Sequence, residues 1–294
     1  MRIVRAIFSG IFSFVLTVTL VALGIVITVN LTVLNPNFII SELDKLDIYS
    51  IVADQVKNQI PAEEPYIAQV VDETITDLEP WLREQTATVI YGGWAYLKGD
   101  QELNIVIPLE QVRATIKDNL EQAILESLPP ELEGFSESQI QAFLSQIYAE
   151  IDSQIPQQIE IDETALGPEI TTQLQQARQI VGYIELGYKA LIGLAALLIL
   201  LIALLQWWHV KPIARYVGIP FTTAGALSLI STIVARSFIP DIIPSEVPPE
   251  IVSTLSPLIT DFTSPLQTYG IVLLIAGIGL IVLSIKLKSP DYAS

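Results

Sequence analysis

Long apolar runs surround one long acidic segment in this chain, and that separation restricts it to the folds of a membrane protein. Residues 35–180 contain 26 Asp and Glu against seven Lys and Arg, although 51% of the whole chain is hydrophobic. A soluble globular domain is rarely so apolar while one half of it stays strongly charged. The sequence therefore predicts membrane helices around a separate polar domain.

Four apolar runs are long enough to cross a hydrocarbon core, which needs about 20 residues. We expect a mainly α fold: a four-transmembrane-helix bundle with a large, mostly helical extracytoplasmic domain between helices 1 and 2. The first run is too long for a signal peptide core, so we interpret it as an anchor. The predicted segments are a cytoplasmic end with the first span (1–34), the acidic domain (35–180), the second span (181–208), a cytoplasmic loop (209–215), the third span (216–238), an outer Pro-rich loop (239–266), the fourth span (267–285) and a cytoplasmic tail (286–294).

Basic residues flank these spans on one side only, which predicts the orientation by the positive-inside rule. They occur at the N-terminus, in the loop between spans two and three, and in the tail: Arg2, Arg5, Lys211, Arg215, Lys286 and Lys288. The opposite flanks are acidic. We therefore expect a multi-pass protein of the plasma membrane, N-in and C-in, with residues 35–180 extracytoplasmic.

Helical periodicity dominates the acidic domain. Apolar residues recur at helical spacing over 64–90, 109–127 and 137–154, and Ser136 with Gln139 forms a capping box before the last of these. An earlier helix begins at Asn35-Pro36, and a later one continues from Leu166 into the second span. Two β-branched stretches, 103–107 and 158–161, predict a small β-ribbon.

Three charged residues lie inside or near the ends of the predicted spans. Glu185 and Lys189 are four residues apart on the second span, and Arg236 lies near the outer end of the third. Ionisable groups in a span are costly and usually face protein or water. Two interpretations stay open: a polar site for an ion or lipid headgroup, or an interfacial salt bridge.

Stripes of small residues occur on the second and third spans. Such stripes allow close packing of helices, within the bundle or between copies of the chain. A pore lining is the alternative. The residues are Gly187, Ala190, Gly193 and Ala196 on the second span, and Gly225, Ser228, Thr232 and Ala235 on the third.

Two further groups of residues are candidate contact sites. Tyr91, Trp94 and Tyr96 surround Gly92-Gly93, which we expect to break the preceding helix and to place three aromatics at a bend. They are either a ligand or lipid contact or a core anchor. In the outer loop, one apolar stripe predicts an interfacial helix on the membrane surface, with Pro257 opposing a straight helix: Ile251, Val252, Leu255, Leu258, Ile259 and Phe262.

The residue inventory argues against several functions. The chain has no cysteine and a single histidine, His209, so we expect no thiolate or multi-histidine metal site, no cofactor and no Ser-His-acid catalysis. Acidic pairs such as Glu63-Glu64, Asp72-Glu73 and Asp100 with Glu102 lack the spacing of a calcium loop. A net charge of −17 opposes nucleic-acid binding.

These observations favour a non-enzymatic, polytopic membrane protein whose acidic domain binds a partner or ligand, in an accessory, sensor or scaffold role. The expected partners are the lipid bilayer and either another protein or a second copy bound through the small-residue faces. An oligomeric small channel or transport subunit is the first alternative, and a cation-binding envelope protein is the second.

Overall fold

The computed structural model describes residues 2–59, 65–126, 134–242 and 249–287, and within this part of the chain the protein is mainly helical. The helices are α1 (Arg2–Leu31), α2 (Pro36–Lys45), α3 (Ile48–Gln59), α4 (Pro65–Lys98), α5 (Glu110–Glu126), α6 (Glu137–Gln154), α7 (Glu163–Leu205), α8 (Val210–Ile242) and α9 (Pro249–Lys286). The strands are β1 (Asn104–Pro108) and β2 (Gln158–Asp162). The predicted mainly α class and the small ribbon are confirmed.

Two compact units make up the chain. One, here called the acidic unit, comprises Ile39–Gln179, and the other, the membrane unit, comprises Met1–Phe38 with Ile180–Ser294. In the described part of the chain, four helices are long and apolar enough to cross a membrane: Arg5–Leu31, Glu163–Leu205, Val210–Phe238 and Ser256–Lys286. The predicted number of spans is therefore confirmed by length and composition.

The core of the membrane unit is shared by all four of these helices. Buried side chains from each helix form one apolar cluster: Leu16 and Leu20 of α1, Ala195, Leu198 and Ile202 of α7, Val217 and Ala224 of α8, and Leu273 of α9. Hydrogen bonds connect the same helices, because the Tyr269 hydroxyl donates to the Leu20 carbonyl at 2.8 Å and the Ser13 hydroxyl donates to the Tyr216 carbonyl at 2.9 Å.

Glycine brings α8 and α9 into backbone contact. A Cβ on Gly225 would lie 2.6 Å from the Leu274 nitrogen and 2.7 Å from the Gly270 carbonyl oxygen. A Cβ on Gly277 would overlap both the nitrogen and the hydroxyl of Thr222. Ser228 and Thr232 are buried on the same helix as Gly225. The third-span stripe thus packs against the fourth span, as such stripes do in membrane bundles.

The second-span stripe behaves differently. Among the described residues, no atom of a neighbouring segment lies within 4 Å of a Cβ built on Gly187 or Gly193. Helix α7 instead packs through another face, which carries Ala195, Leu198 and Ile202. Within the described residues this stripe therefore has no neighbour at Gly187 or Gly193, and its packing against a second copy of the chain stays a prediction. Three-residue steps define a face without indicating which face meets a neighbour.

The predicted outer loop 239–266 is much shorter in the structure. Helix α8 continues to Ile242, and α9 begins at Pro249 and runs through both Pro257 and Pro265 to Lys286. The amphipathic segment is therefore the first part of a 38-residue helix rather than a separate one. Each proline removes one backbone hydrogen bond, a loss that neighbouring helices and Ser or Thr side chains offset in membrane bundles.

Three predicted helices form the body of the acidic unit as α4, α5 and α6. Strands β1 and β2 pair antiparallel in a register that places Ile105 opposite Ile161. Tyr96, Leu103 and Ile105 are buried together, and Leu144 of α6 packs with Ile124 of α5 in a second cluster.

Local capping agrees with the predicted helix starts. The Asn35 side chain accepts a hydrogen bond from the Asn37 nitrogen at 3.1 Å, directly before α2. The Gln139 side chain accepts one from the Ser136 nitrogen at 2.9 Å, which is the reciprocal bond of the capping box. One backbone break was not foreseen: Gly167 has a φ of 77° and interrupts α7 near its start.

Substitution of α9 glycines tests the backbone contact. We expect Gly277→Val to lower the unfolding free energy in detergent by about 1–3 kcal/mol or more, because its side chain must displace Thr222. Gly279→Val is the matched control, since no atom lies within 4 Å of a Cβ there, and it should change the unfolding free energy by less than about 0.5 kcal/mol. Equal effects would contradict the close approach of α8 and α9.

Candidate functional site

Within the described residues, no hydrogen bond or ion pair joins the three charged span residues to one another. Arg236 donates from Nε to the Thr263 hydroxyl at 2.8 Å and from Nη2 to the Thr260 carbonyl at 3.1 Å, so it ties α8 to α9. Within the described residues, no hydrogen bond or ion pair joins Glu185 to Lys189, and Lys189 is exposed. Arg236 has a structural contact, and the other two residues remain without an assigned role.

The aromatic segment lies within an unbroken helix, so the predicted bend at Gly92-Gly93 is wrong. Tyr96 is only 1% exposed, and its hydroxyl donates to Glu163 Oε1 at 2.9 Å. Burial and this hydrogen bond raise the pKa of Tyr96. The Arg178 guanidinium lies 5.1 Å from the centre of the same ring. Tyr96 is therefore a core anchor of the acidic unit.

Its two neighbours in the motif have separate environments. Tyr91 is 46% exposed. The Trp94 indole nitrogen is buried and has no hydrogen-bond partner among the described residues, while Lys98 Nζ lies 5.9 Å from the centre of the Trp94 ring. The three aromatics thus do not converge on one contact surface.

The residues of the predicted interfacial helix can be placed only in part. Leu258, Ile259 and Phe262 are half-buried, and the Phe262 ring packs edge-on against Phe38 with 4.8 Å between centroids. The side chains of Ile251, Val252 and Leu255 lie outside the described residues. Phe262 and Ile259 therefore belong to the packed part of the membrane unit.

An apolar groove lies between α3 and α4 on the acidic unit. It has a volume of about 180 Å³. Its lining is apolar apart from Glu79 and the polar atoms of Tyr49 and Trp81. The lining residues are Tyr49, Val52, Ala53 and Val56 from α3, and Ile75, Leu78, Glu79, Trp81 and Leu82 from α4.

Arg83 lies at one end of this groove, where it contacts an aromatic ring and three carboxylates. Arg83 lies 4.5 Å from the centre of the Tyr49 ring and contacts three carboxylates: Glu79 at 2.8 Å, Asp44 at 2.9 Å and Asp47 at 3.7 Å. The pKa of Arg83 is raised mainly by its hydrogen bond to Glu79. The pKa of Tyr49 is raised mainly by burial. Three carboxylates against one guanidinium leave this end of the groove acidic.

The sequence contains a helical pattern on one side of this groove that was not predicted. Tyr49, Val52, Ala53 and Val56 follow the spacing of one helix face, yet α3 was not predicted. Ile75, Leu78 and Leu82 of α4 were predicted as an apolar stripe. Only tertiary structure shows that the two stripes face each other and leave a gap between them.

A polar pocket of about 320 Å³ is the nearest approach to a cation site. Its lining includes Asp72, Glu73 and Asp77, but the buried Asn119 already donates to Asp77 at 3.1 Å and to Thr74 at 3.2 Å. In the described parts of the chain, no group of three or more His, Cys, Asp or Glu is arranged to hold a metal ion. Glu63 and Glu64 lie outside the described residues.

Comparison of the chain with protein-family models, curated proteins and solved structures finds no match in any of the three.

A pair of neighbouring glycines tests the packing at the aromatic segment. A Cβ on Gly92 would lie 2.7 Å from Ile105 Cγ1, whereas nothing lies within 4 Å of one on Gly93. We expect Gly93→Ala to stabilise the unit by about 0.5–1 kcal/mol through helix propensity. Gly92→Ala should instead destabilise it, because Ile105 is buried and has little room to move.

Amide hydrogen exchange at Ile105 and Ile161 of the ribbon provides the measurement, with Gly93→Ala as the control for propensity. Equal gains in protection for both variants would show that β1 does not press against α4 at Gly92.

Proposed function

We propose that this chain is a non-enzymatic, multi-pass membrane protein whose acidic unit binds a partner protein through the groove between α3 and α4. The single observation that carries the proposal is an apolar groove in a strongly acidic unit. Exposed apolar residues that lie together on a polar surface often mark a protein-binding site. We expect the partner to present a basic amphipathic helix.

The size of the groove supports a side-chain anchor over a small-molecule ligand. Ligand pockets usually enclose about 300–1,000 Å³, so about 180 Å³ is too small for most of them. A groove between two helices suits the apolar face of a third helix, which inserts anchors at helical spacing. Val52 and Val56 are both exposed at this position and are one helical turn apart.

Charge supports a basic partner. The segment 35–180 has 26 carboxylates against seven basic residues, and Arg83 beside the groove is already paired with three of them. Lysine or arginine flanking the apolar anchors of a partner would meet uncompensated carboxylates. Such complementarity raises the association rate at low salt. High salt screens the charges and lowers the rate.

For the topology, we propose that the N-terminus, the 209–215 loop and the tail are cytoplasmic, and that the acidic unit is extracytoplasmic in the plasma membrane. The distribution of basic residues across short flanks supports this orientation. An oligomeric channel or transport subunit is the alternative function, and the open second-span stripe around Gly193 is the observation that favours it. Nothing in the described residues adds support for cation binding.

Introduced thiols test the topology, since the chain has no cysteine of its own. We expect Ser138→Cys to react with a membrane-impermeant maleimide in intact cells. Ser289→Cys in the tail should react only after permeabilisation. The reverse pattern would overturn the proposed orientation.

Charge placed in the groove tests the binding site. The intact protein in native membranes is crosslinked, and co-purified proteins are compared between wild type and variants. We expect Val56→Asp to abolish capture of the partner, because an unpaired carboxylate inside an apolar contact costs several kcal/mol. Capture by the wild type should also weaken as salt rises.

Ile170→Asp is the matched control, because Ile170 is 48% exposed on another helix of the same unit and Val56 is 41% exposed. This variant should capture the partner like the wild type. Loss in both variants would indicate a general effect of added negative charge, and loss in neither would place the binding surface elsewhere. Capture of a second copy of this chain would replace the basic partner with self-association.

A further inference from the structure

A second cavity lies in the membrane unit, where the end of α7, the start of α8 and the end of α9 meet. Its volume is about 780 Å³. Lys211 and Arg215 supply positive charge, Gln206 and Tyr216 supply polar groups, and Ile219 with Ile281 supplies apolar wall. We call this cavity the basic pocket. Its basic residues could contact the phosphate of a phospholipid, and its apolar wall could contact an acyl chain.

The charge of Arg215 has no compensating partner within the described residues. Residues 2–38, 186–240 and 262–287 contain no Asp or Glu, and Asp291 follows in the tail. Arg215 is exposed and has no hydrogen bond or ion pair within the described residues. Arginine suits phosphate because its planar guanidinium donates two parallel hydrogen bonds. The pocket is also beside the N-terminus of α8, whose dipole favours an anion.

Hydrogen bonds fix the walls of the pocket before any ligand arrives. Gln206 Nε2 donates to the Ser9 hydroxyl at 2.7 Å, which holds the end of α7 against α1. The Tyr216 carbonyl accepts from Ser13, as described above, and ties α8 to the same helix. Ser284 donates to the Ile281 carbonyl at 2.7 Å within α9. The cavity is thus preorganised by contacts among three helices.

Two adjacent tryptophans indicate that this end lies at the depth of lipid headgroups. Trp207 and Trp208 are 66% and 65% exposed and follow α7 directly. Both have positive φ values, 51° and 59°, in a region that non-glycine residues rarely adopt. Arg5 stacks on Trp207 at 5.2 Å from the ring centre. Exposed tryptophan beside basic residues is typical of the membrane–water interface.

We propose that the basic pocket binds the phosphate of an anionic phospholipid, with Arg215 as the main phosphate ligand and the isoleucine wall against an acyl chain. This site goes beyond the partner-binding function of the acidic unit and does not depend on it. Basic pockets between membrane helices bind anionic headgroups in this way. The apolar wall favours a lipid over free phosphate, which would leave that wall in contact with water.

The test uses the full chain in nanodiscs that contain phosphatidylcholine with or without phosphatidylglycerol. Phosphatidylglycerol that remains bound after extraction is counted by native mass spectrometry. We expect Arg215→Gln to weaken its retention about fivefold, as for loss of one basic contact at a charged membrane. Arg215→Lys keeps the charge without the paired donors and should give a smaller loss.

Lys286→Gln is the matched control, because it removes one positive charge near the end of α9 but does not line the pocket. It should retain phosphatidylglycerol like the wild type. Equal losses in Arg215→Gln and Lys286→Gln would overturn the proposal in favour of general surface charge. Unchanged thermal unfolding of each variant in phosphatidylcholine alone excludes misfolding as the cause.

Inorganic phosphate distinguishes a lipid headgroup from a soluble phosphate as the ligand of the pocket. Added to nanodiscs that contain only phosphatidylcholine, it should leave the thermal unfolding temperature of the wild type unchanged, whereas phosphatidylglycerol should raise it. Stabilisation of the wild type by phosphate alone, lost in Arg215→Gln, would overturn the lipid assignment and identify a site for a soluble anion.

Discussion

The backbone contact between α8 and α9 is the interaction on which the membrane unit depends. Helices in lipid gain little from the hydrophobic effect when they associate, so close packing and hydrogen bonds must hold them together. Gly225 and Gly277 allow that packing because neither carries a Cβ where the partner backbone lies. Helix α1 contacts both members of the pair, and α7 adds Leu198 and Ile202 to the shared core. Polar bonds such as Tyr269 to Leu20 then fix the rotation of each helix.

The acidic unit depends on a different force, because water makes burial of apolar surface favourable there. Its described core is thin: Tyr96, Leu103 and Ile105 form one cluster, and Ile124 with Leu144 forms another. Glycine again permits the closest approach, since Gly92 leaves space for Ile105. The apolar lining of the groove between α3 and α4 lies outside both clusters. An apolar surface that the unit itself does not cover is available for an external helix.

Local periodicity explains why much of the fold could be predicted from the sequence. The four spans, α4 to α6 and the ribbon each depend on patterns within about 20 residues. The errors share a different cause, since each required knowledge of a neighbour in space. Gly92-Gly93 looks like a helix break until Ile105 is seen against it, and Pro257 looks like a helix end although α9 continues through it. The hydrogen bond from Arg236 to Thr263 of α9 likewise could not be predicted from the spacing of residues along one helix.

The environments of the arginines separate structural from binding roles. Arg83 contacts three carboxylates of its own unit, and Arg236 donates to Thr263 and Thr260, so both guanidinium groups are satisfied within the protein. Arg215 lines a cavity and has no hydrogen bond or ion pair within the described residues. A guanidinium beside apolar helices is costly unless an anion or water compensates it. In the proposed site a lipid phosphate is the compensating anion, because exposed tryptophans such as Trp207 and Trp208 are typical of the depth at which lipid headgroups lie.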